Sequence, residues 1–510
     1  MRKTASGVAP VIPLDRNAKK PLHRQIYEGY RKAILERHLR AGQQIPSTRT
    51  LALELGVSRI PLLNAYSQLL AEGFFESRTG AGTFVASLPP DPAVRAQSRP
   101  AARAKTQSGW PMGPPGLAAC MGQRPVSGRS QLLPPFNPAP WLKGSGAFSV
   151  GQVAFDHFPV DIWSRLVARH SRRLQARSAH FDDPRGHREF RKAVAEYLRT
   201  ARAVKCDEHQ IMIVSGSQEA LDLSARVLLD PGSPVWIEEP GYWLARRVLT
   251  LAGCELVPVP VDRDGLDVAA GMKLSRAARA AYVTPSHQFP LGVTMSVSRR
   301  LQLLNWAESC GSWIIEDDYD SEYRYGLPPI ASLQGLDTNA RVIYVGTFSK
   351  TLLPSLRVGY LVIPADLVDR FMAVRVAMDI FPPHVNQAVL TDFINDGHFA
   401  RHIRRTRLLY AERRERLVQC LHDQFGSTLE SMGTEAGVHL AVTLPAPLHD
   451  GVLAERAALE KLWLWPLSPS YMGETSRQGF ILGFGSVATG DIPKAVRKMA
   501  AVLHAEMDIR

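Results

Sequence analysis

Residues 87–135 carry ten prolines in 49 positions, with Gly, Ser, Ala, Gln and Arg between them and few large apolar groups. Such a stretch cannot bury enough surface to offset the entropy of ordering it, and it reads as a flexible, semi-extended linker. It divides the 510-residue chain into a shorter and a longer part, each of which must build its own core. Residues 17–86 form the first folded part, 87–136 the linker and 137–510 the second folded part. No run approaches the ~18 consecutive apolar residues of a membrane span. The opening residues MRKTASGVAPVIPLDR lack the apolar core of a secretory signal. Five cysteines (Cys120, Cys206, Cys254, Cys310 and Cys420) are odd in number and far apart. They argue against a disulfide framework and a CxxC zinc site and fit a reducing cytoplasm, so no metal site is read.

Charge is divided as unevenly as composition. Residues 1–130 hold 19 Lys+Arg and 7 Asp+Glu, a net of +12, whereas the other 380 residues are nearly neutral. A basic terminal module beside a neutral body points to a nucleic-acid reader attached to something else. Leu22, Ile26, Tyr30, Ala33 and Ile34 recur at helical steps. A second helix is expected after Pro46, with Ser47 as its N-cap, running to about Leu55. Ser58 is placed to cap a third, with Leu62, Leu63, Tyr66, Leu69 and Leu70 turned inward. FFESRTGAGTFVA then reads as a hairpin around Gly80 and Gly82. Helix, helix, helix and hairpin make a winged helix-turn-helix, its third helix set for a major groove.

The runs PLHRQIYEGYRKAIL, AGQQIPSTRTLALELGVSR and AYSQLLAEGFFESRTGAGTFV resemble the DNA-binding module of GntR-type regulators over residues 20–86. Carried over by position, the resemblance implies DNA contacts from Ser47, Arg49, Ser58, Arg59, Thr79 and Gly80. Arg49 suits a phosphate, and Arg59 at the start of the third helix can reach a guanine edge bidentately. Ile60-Pro61 stands where related sequences put small polar residues, which suggests an apolar contact with a thymine methyl.

The longer part alternates strand-like runs (IMIVSG, PVWIEE, ELVPVPV, AAYVTP, WIIEDD, VIYVGTFS, VGYLVIP) with helical stretches, the pattern of an α/β sheet covered by helices. Lys350 follows one such run between Ser349 and Thr351, with Arg357 seven residues on. A lone lysine there is an ordinary surface charge. A lysine desolvated beside an arginine has a lowered pKa and can form a Schiff base. Ser215-Gly216-Ser217-Gln218 follows a strand and opens a helix, a natural anion site. Glu238-Glu239-Pro240-Gly241-Tyr242 sets an aromatic ring at a strand end, and Glu316-Asp317-Asp318-Tyr319-Asp320 sets carboxylates at another. A carboxylate so placed can keep a pyridine nitrogen protonated.

In this order the four signatures resemble fold-type I pyridoxal-phosphate enzymes of the aminotransferase class, over residues 145–505. That implies a mixed, mainly parallel sheet, a smaller C-terminal α/β subdomain and pyridoxal 5'-phosphate as cofactor. Lys350 would be the Schiff-base lysine, Asp317 the pyridinium partner, Tyr242 the stacking ring and Tyr319 a donor to the phenolic oxygen. Ser217, Gln218, Thr347, Ser349 and Arg357 would hold the phosphate. The fusion, with the phrases FDDPRG, TPSHQFPLGVTMS and EDDYDSEY, looks like the MocR/GabR subfamily of GntR-type regulators. The resemblance implies a head-to-tail homodimer on a double-stranded DNA operator, responding to an amine, an amino acid or pyridoxal phosphate itself.

Four positions depart from the enzymes. Phe181 stands where relatives have Tyr, Phe289 where aminotransferases have Asn, and Leu244 where an effector-binding Arg is expected, with Arg246 nearby. Ile481 takes the place of the arginine that grips a substrate carboxylate, leaving Arg477 as a substitute if its loop shifts. These departures count against an active aminotransferase with an accessory DNA-binding module, the alternative reading, and leave any transaminase activity weak or vestigial. The intact Lys350, Asp317 and Arg357 count against a decayed domain that only dimerises.

Overall fold

The computed structural model describes residues 14–16, 18, 20–36, 38–78, 80–86, 126–135, 138–144, 146–172, 182–326 and 330–507. The chain divides into two compact units, one within residues 1–121 and the other within 122–510. Residues 87–125 of the expected linker lie outside the described residues. Its last part is built into the second unit: Gly128–Gln131 is helical, and Arg247 Nη2 donates to the Pro134 carbonyl at 3.0 Å.

In the first unit, α1 (Leu22–Leu35) turns Ile26, Tyr27, Tyr30, Ala33 and Ile34 inward, the face its apolar spacing dictates. Ser47 accepts from the Thr50 amide at 3.1 Å and starts α2 (Thr48–Leu55), which Gly56 ends in the left-handed region at φ 61°. The third helix, α3 (Arg59–Ala71), buries Leu62, Ala65, Tyr66 and Leu69. Two expectations fail here. The Ser58 side chain makes no capping bond. Leu63 and Leu70, expected inside, keep 42% and 36% of their surface, because the helix rotation that buries Leu62 and Leu69 turns the next residue outward. Strands β1 (Gln44–Ile45), β2 (Phe75–Arg78) and β3 (Gly82–Val85) pair antiparallel in the order β1-β3-β2 and make the wing. Tyr30, Tyr66 and Phe75 meet edge to face at 5.2–5.7 Å in the middle of this small core.

The second unit is built on an eight-stranded sheet: β4 (Ile211–Val214), β5 (Pro234–Glu239), β6 (Glu255–Asp262), β7 (Gly265–Leu266), β8 (Ala280–Val283), β9 (Trp313–Asp318), β10 (Val342–Thr347) and β11 (Gly359–Val362). Its order is β4-β11-β10-β9-β8-β5-β6-β7. The pairs from β6 through β5, β8 and β9 to β10 are parallel, and β11 runs antiparallel to both neighbours. All seven strand-like runs are strands, and the mixed, mainly parallel sheet is as expected. The central strands are buried on both faces, which is why they read as unbroken apolar runs. A second, four-stranded antiparallel sheet comprises β12 (Ser431–Met432), β13 (His439–Thr443), β14 (Trp465–Pro466) and β15 (Gly479–Gly483), and belongs to the smaller C-terminal α/β subdomain that was expected, although none of its strands was placed from the sequence.

A 28-residue helix, His398–Phe425, shares a hydrophobic core with residues of β13 and β15. From it the buried His402 ring bonds through Nε2 to the Thr351 carbonyl at 3.0 Å. Burial, then Arg405, lowers its pKa from the usual 6.5 to about 4. The neutral ring costs nothing above pH 6.5, so stability should be flat there and fall as pH drops from 6.5 towards 4. At about 1.4 kcal/mol per pH unit the loss is about 3 kcal/mol. Denaturant unfolding at stepped pH should show a smaller fall in His402→Gln, which can still donate but does not titrate. An identical fall in both would remove His402 from the account.

Candidate functional site

Parallel strands share a direction, so the loops at their C-terminal ends gather on one edge of the sheet, where ligands of α/β folds sit. Here those loops, with residues 150–151 and parts of the small sheet, enclose a cavity of about 250 Å³. Its lining includes all nine residues expected around the cofactor: Ser217, Gln218, Tyr242, Asp317, Tyr319, Thr347, Ser349, Lys350 and Arg357.

Lys350 leaves the end of β10, and its Nζ donates to the Gly151 carbonyl at 3.3 Å. Burial lowers its pKa, while the Asp320 and Asp317 carboxylates resist the fall. The amine is thus moved towards its nucleophilic, neutral form. Asp317 lies on β9 and is 3% exposed. Its Oδ2 accepts from the Tyr282 hydroxyl at 2.8 Å, and its Oδ1 is buried with no partner. Burial raises its pKa to about 7, with Asp318 and Asp320 adding to the rise and Tyr282 and Lys350 opposing it. A carboxyl in that condition favours a cationic or N–H partner at Oδ1.

The other end of the cavity is an anion cradle. Gly216, at φ 139°, precedes the helix Ser217–Leu228. A Cβ on Gly216 would lie 3.3 Å from Arg357 Nη2, so only glycine lets the guanidinium approach without a shift. Arg357 itself is held at φ 49° after a short 3-10 turn. Gly359 of β11 packs on Gly216 and Gly346 so closely that a Cβ there would stand 2.9–3.0 Å from their backbones. Gln218 Nε2 is buried without a partner, and Thr347 Oγ1 accepts from the Ser349 amide at 3.1 Å.

A third wall is aromatic. Tyr242 meets Phe289 edge to face at 5.3 Å. The Tyr319 hydroxyl donates to the His287 carbonyl at 2.8 Å and lies 3.1 Å from His287 Nδ1. His287 Nδ1 is also 3.0 Å from Asp320 Oδ2. His439, on β13, lies 4.5 Å from the His287 ring and lines the cavity. Together His287, Asp320 and His439 are the one group of metal-capable side chains found among the described residues.

The two arginines read as effector contacts are not in this lining. Arg246 Nη2 is committed to the carbonyls of Gly241, Pro469 and Ser470. Arg477 is exposed and reaches only Met432 Sδ, at 3.5 Å. Ile481 is fully buried in β15, packed with Phe289, Leu291 and Leu467. Leu244 does line the cavity, and Phe181 lies outside the described residues. The lining also holds Gly151, Tyr282, Thr284, His439 and Trp465, which the sequence reading missed. Tyr282 and His439 sit inside strands, where a residue ordinarily reads as core, and Gly151 is joined to the site only by tertiary packing. Thr284 opens the TPSHQFPLG phrase, and that was the available signal.

In the first unit Ser47, Arg49, Ser58, Arg59 and Gly80 are all exposed, and Thr79 lies outside the described residues. Arg59 starts α3, and its Nε donates to Thr48 Oγ1 at 3.1 Å, which ties the arginine to the start of α2. Ile60 beside it is 67% exposed, a large apolar side chain on the surface of this unit.

Comparison with known proteins finds aminotransferase class I and II over residues 147–464 and the gntR family of bacterial regulatory proteins over residues 22–85. The chain is 41% identical to the probable rhizopine catabolism regulatory protein MocR of Rhizobium meliloti, covering 96% of this chain and 94% of that protein. It is 31% identical to the HTH-type transcriptional regulator TauR of Rhodobacter capsulatus, covering 95% and 96%. Among solved structures it is similar to LysN, an α-aminoadipate aminotransferase of Thermus thermophilus complexed with a phosphopyridoxyl-leucine adduct. The TM-score is 0.67 at 27% identity, covering 72% of this chain and 95% of that one.

Proposed function

The chain belongs to the MocR-type GntR regulators, and from that premise we propose that its large unit is a pyridoxal-phosphate-dependent sensor controlling a sequence-specific DNA-binding module. The observation that carries the reading is the convergence of Lys350, Asp317 and the Gly216–Arg357 cradle on one cavity.

The residues present fit the cofactor. The orphaned Oδ1 of Asp317 calls for an N–H partner, and the cradle offers Arg357 and a helix N-terminus to a phosphate. Ser217, Gln218, Thr347 and Ser349 stand around the same end. Pyridoxal phosphate, when bound, supplies a carbonyl electrophile for a primary amine. Lys350 contributes a desolvated amine, and Asp317 holds a proton at the ring nitrogen. Tyr242 and Phe289, which meet edge to face in the lining, would supply an apolar wall beside the cofactor. Lys350 would be the group that an incoming primary amine displaces, and a signal of that kind needs no further side chain. Turnover to a keto acid is a separate demand, and multiple-turnover keto-acid production would restore the enzyme reading.

For the signal to reach DNA, the effector must bind one arrangement of the protein better than another. We place two copies in a head-to-tail dimer, each presenting one winged helix to an operator half-site. Reconstitution tests the cofactor: adding pyridoxal phosphate to the cofactor-free chain should give a near-visible band, and borohydride should fix the label on the peptide containing Lys350. An unlabelled Lys350 peptide would overturn the reading. For the other unit, Arg59→Ala should weaken operator binding by about ten- to a hundredfold, about 1–3 kcal/mol, while leaving the band in place. A mobility-shift titration checks this; unchanged affinity would take Arg59 off the DNA.

A further inference from the structure

The outward face of α3 is almost without charge. Arg59 is the one charged residue of the helix, and its Nε is tied to Thr48 Oγ1. Leu62, Ala65, Tyr66 and Leu69 are buried. At about 3.6 residues per turn, the stripe opposite them holds Ile60, Asn64 and Ser67, at i, i+4 and i+7. All three are exposed. Ile60 leads this stripe at the N-terminal end of the helix and keeps 67% of its surface. In a helix-turn-helix unit it is the N-terminal part of the recognition helix that meets base edges.

The pair Ile60-Pro61 does little for the stability of its own unit. Pro61 stands three residues past the N-cap Ser58, the position whose amide a capping serine binds. Ser47 binds the Thr50 amide in this way at 3.1 Å. Proline has no N–H, which is why the Ser58 side chain makes no capping bond. A lone exposed isoleucine is common on protein surfaces, and what marks this one is its place at the leading end of the outward stripe. Isoleucine is branched at Cβ and holds one main rotamer in a helix, so it presents its methyl groups at little entropic cost. The net +12 of residues 1–130 draws the unit to any duplex, and the neutral stripe is left to discriminate. In the major groove the one apolar target is the 5-methyl group of thymine. Cytosine presents an amino group there instead, which an alkyl side chain would desolvate without pairing.

We propose that Ile60 is a specificity-determining residue that reads thymine through its 5-methyl group, so that each operator half-site carries thymine rather than cytosine at the base step Ile60 covers. The proposal rests on the sequence-specific DNA reading above, in which α3 lies in the major groove.

The test uses the full-length chain with pyridoxal phosphate present throughout. Selection from a pool of randomised duplexes supplies the probe, and each of its thymines is replaced in turn by deoxyuridine, which lacks only the methyl group. At the thymine under Ile60 the replacement should weaken binding about fourfold, the worth of one buried methyl group. In Ile60→Ala the thymine and deoxyuridine duplexes should bind alike, and Ile60→Val should keep most of the difference. Both variants should bind a scrambled duplex at low salt as the unmodified chain does, because the side chain is exposed and the core is untouched. Deoxyuridine tolerated at every position, or a difference that survives in Ile60→Ala, would overturn the proposal and leave the role of Arg59 standing. A changed sedimentation of Ile60→Ala with unchanged operator affinity would overturn it too, by placing the side chain against protein. A pool that yields no preferred sequence would instead bring down sequence-specific reading by α3, and the proposal with it.

Discussion

Lys350→Ala is expected to reduce borohydride-fixed pyridoxal label to background and to erase every spectral response to amines. The expectation follows from position. Among the described residues that line the cavity, Lys350 supplies the only primary amine. Its burial lowers the pKa and so provides the unprotonated form that attacks a carbonyl. Removing it leaves Arg357, Ser217 and Thr347 around the cradle, so phosphate affinity survives in weakened form while covalent attachment does not. Lys350→Arg should fail equally, because a guanidinium keeps the charge and cannot condense. Mass spectrometry of reduced, digested protein is the check. A label found on another lysine, or a band retained in Lys350→Ala, would move the attachment point and with it the roles given to Asp317 and Arg357.

Phe75→Ala should unfold the winged helix and abolish DNA binding while the band of the large unit stays. The ring is 2% exposed and meets Tyr30 at 5.4 Å and Tyr66 at 5.2 Å, both edge to face. Those two tyrosines also reach each other, with 3.3 Å between hydroxyls, and Tyr66 donates to the Pro46 carbonyl just ahead of α2. Truncating the ring therefore empties the point where α1, α3 and the wing meet. A buried Phe→Ala change costs about 3–5 kcal/mol. A domain of this size holds only about 3–10 kcal/mol in total. Mobility shift, limited proteolysis of the N-terminal unit and the absorbance band are the three readouts. Full DNA affinity in the variant would show that this trio is not the centre of the core.

The sequence disclosed nine of the residues that line the cavity and missed several others. Lys350, Asp317, Tyr242 and the Ser215–Gln218 turn were legible because each stands where a buried run stops, and a sheet of parallel strands brings such stops together. The wing and α2 were legible through Gly80, Gly56 and the Ser47 cap. His439 and Trp465 were not, because they belong to a sheet whose strands are two to five residues long, too short to show a period. The arginines misled for a different reason. A sequence shows a charge but not its partners, and Arg246 had already been taken up by three backbone carbonyls. Ser58 stands at the N-cap as read and lacks only the side-chain bond, whereas the outward turn of Leu63 and Leu70 was an error of one helical position, which hydrophobic spacing cannot resolve.

The contact of Gly216, Gly346 and Gly359 has a consequence for how such a protein can change over time. Where main chain meets main chain with no room for a methyl group, the distance from the anion cradle to the end of β10 is set by the fold and is closed to substitution. Elsewhere the lining includes the side chains of Phe289, His439, Trp465 and Leu244. Those positions can be exchanged without moving the cradle. The cavity is thereby partitioned into a half that is inherited with the scaffold and a half that is free to be retuned. A single ancestral pocket of this design could acquire new signals by drift at a few wall residues, without ever having to reinvent its anchor.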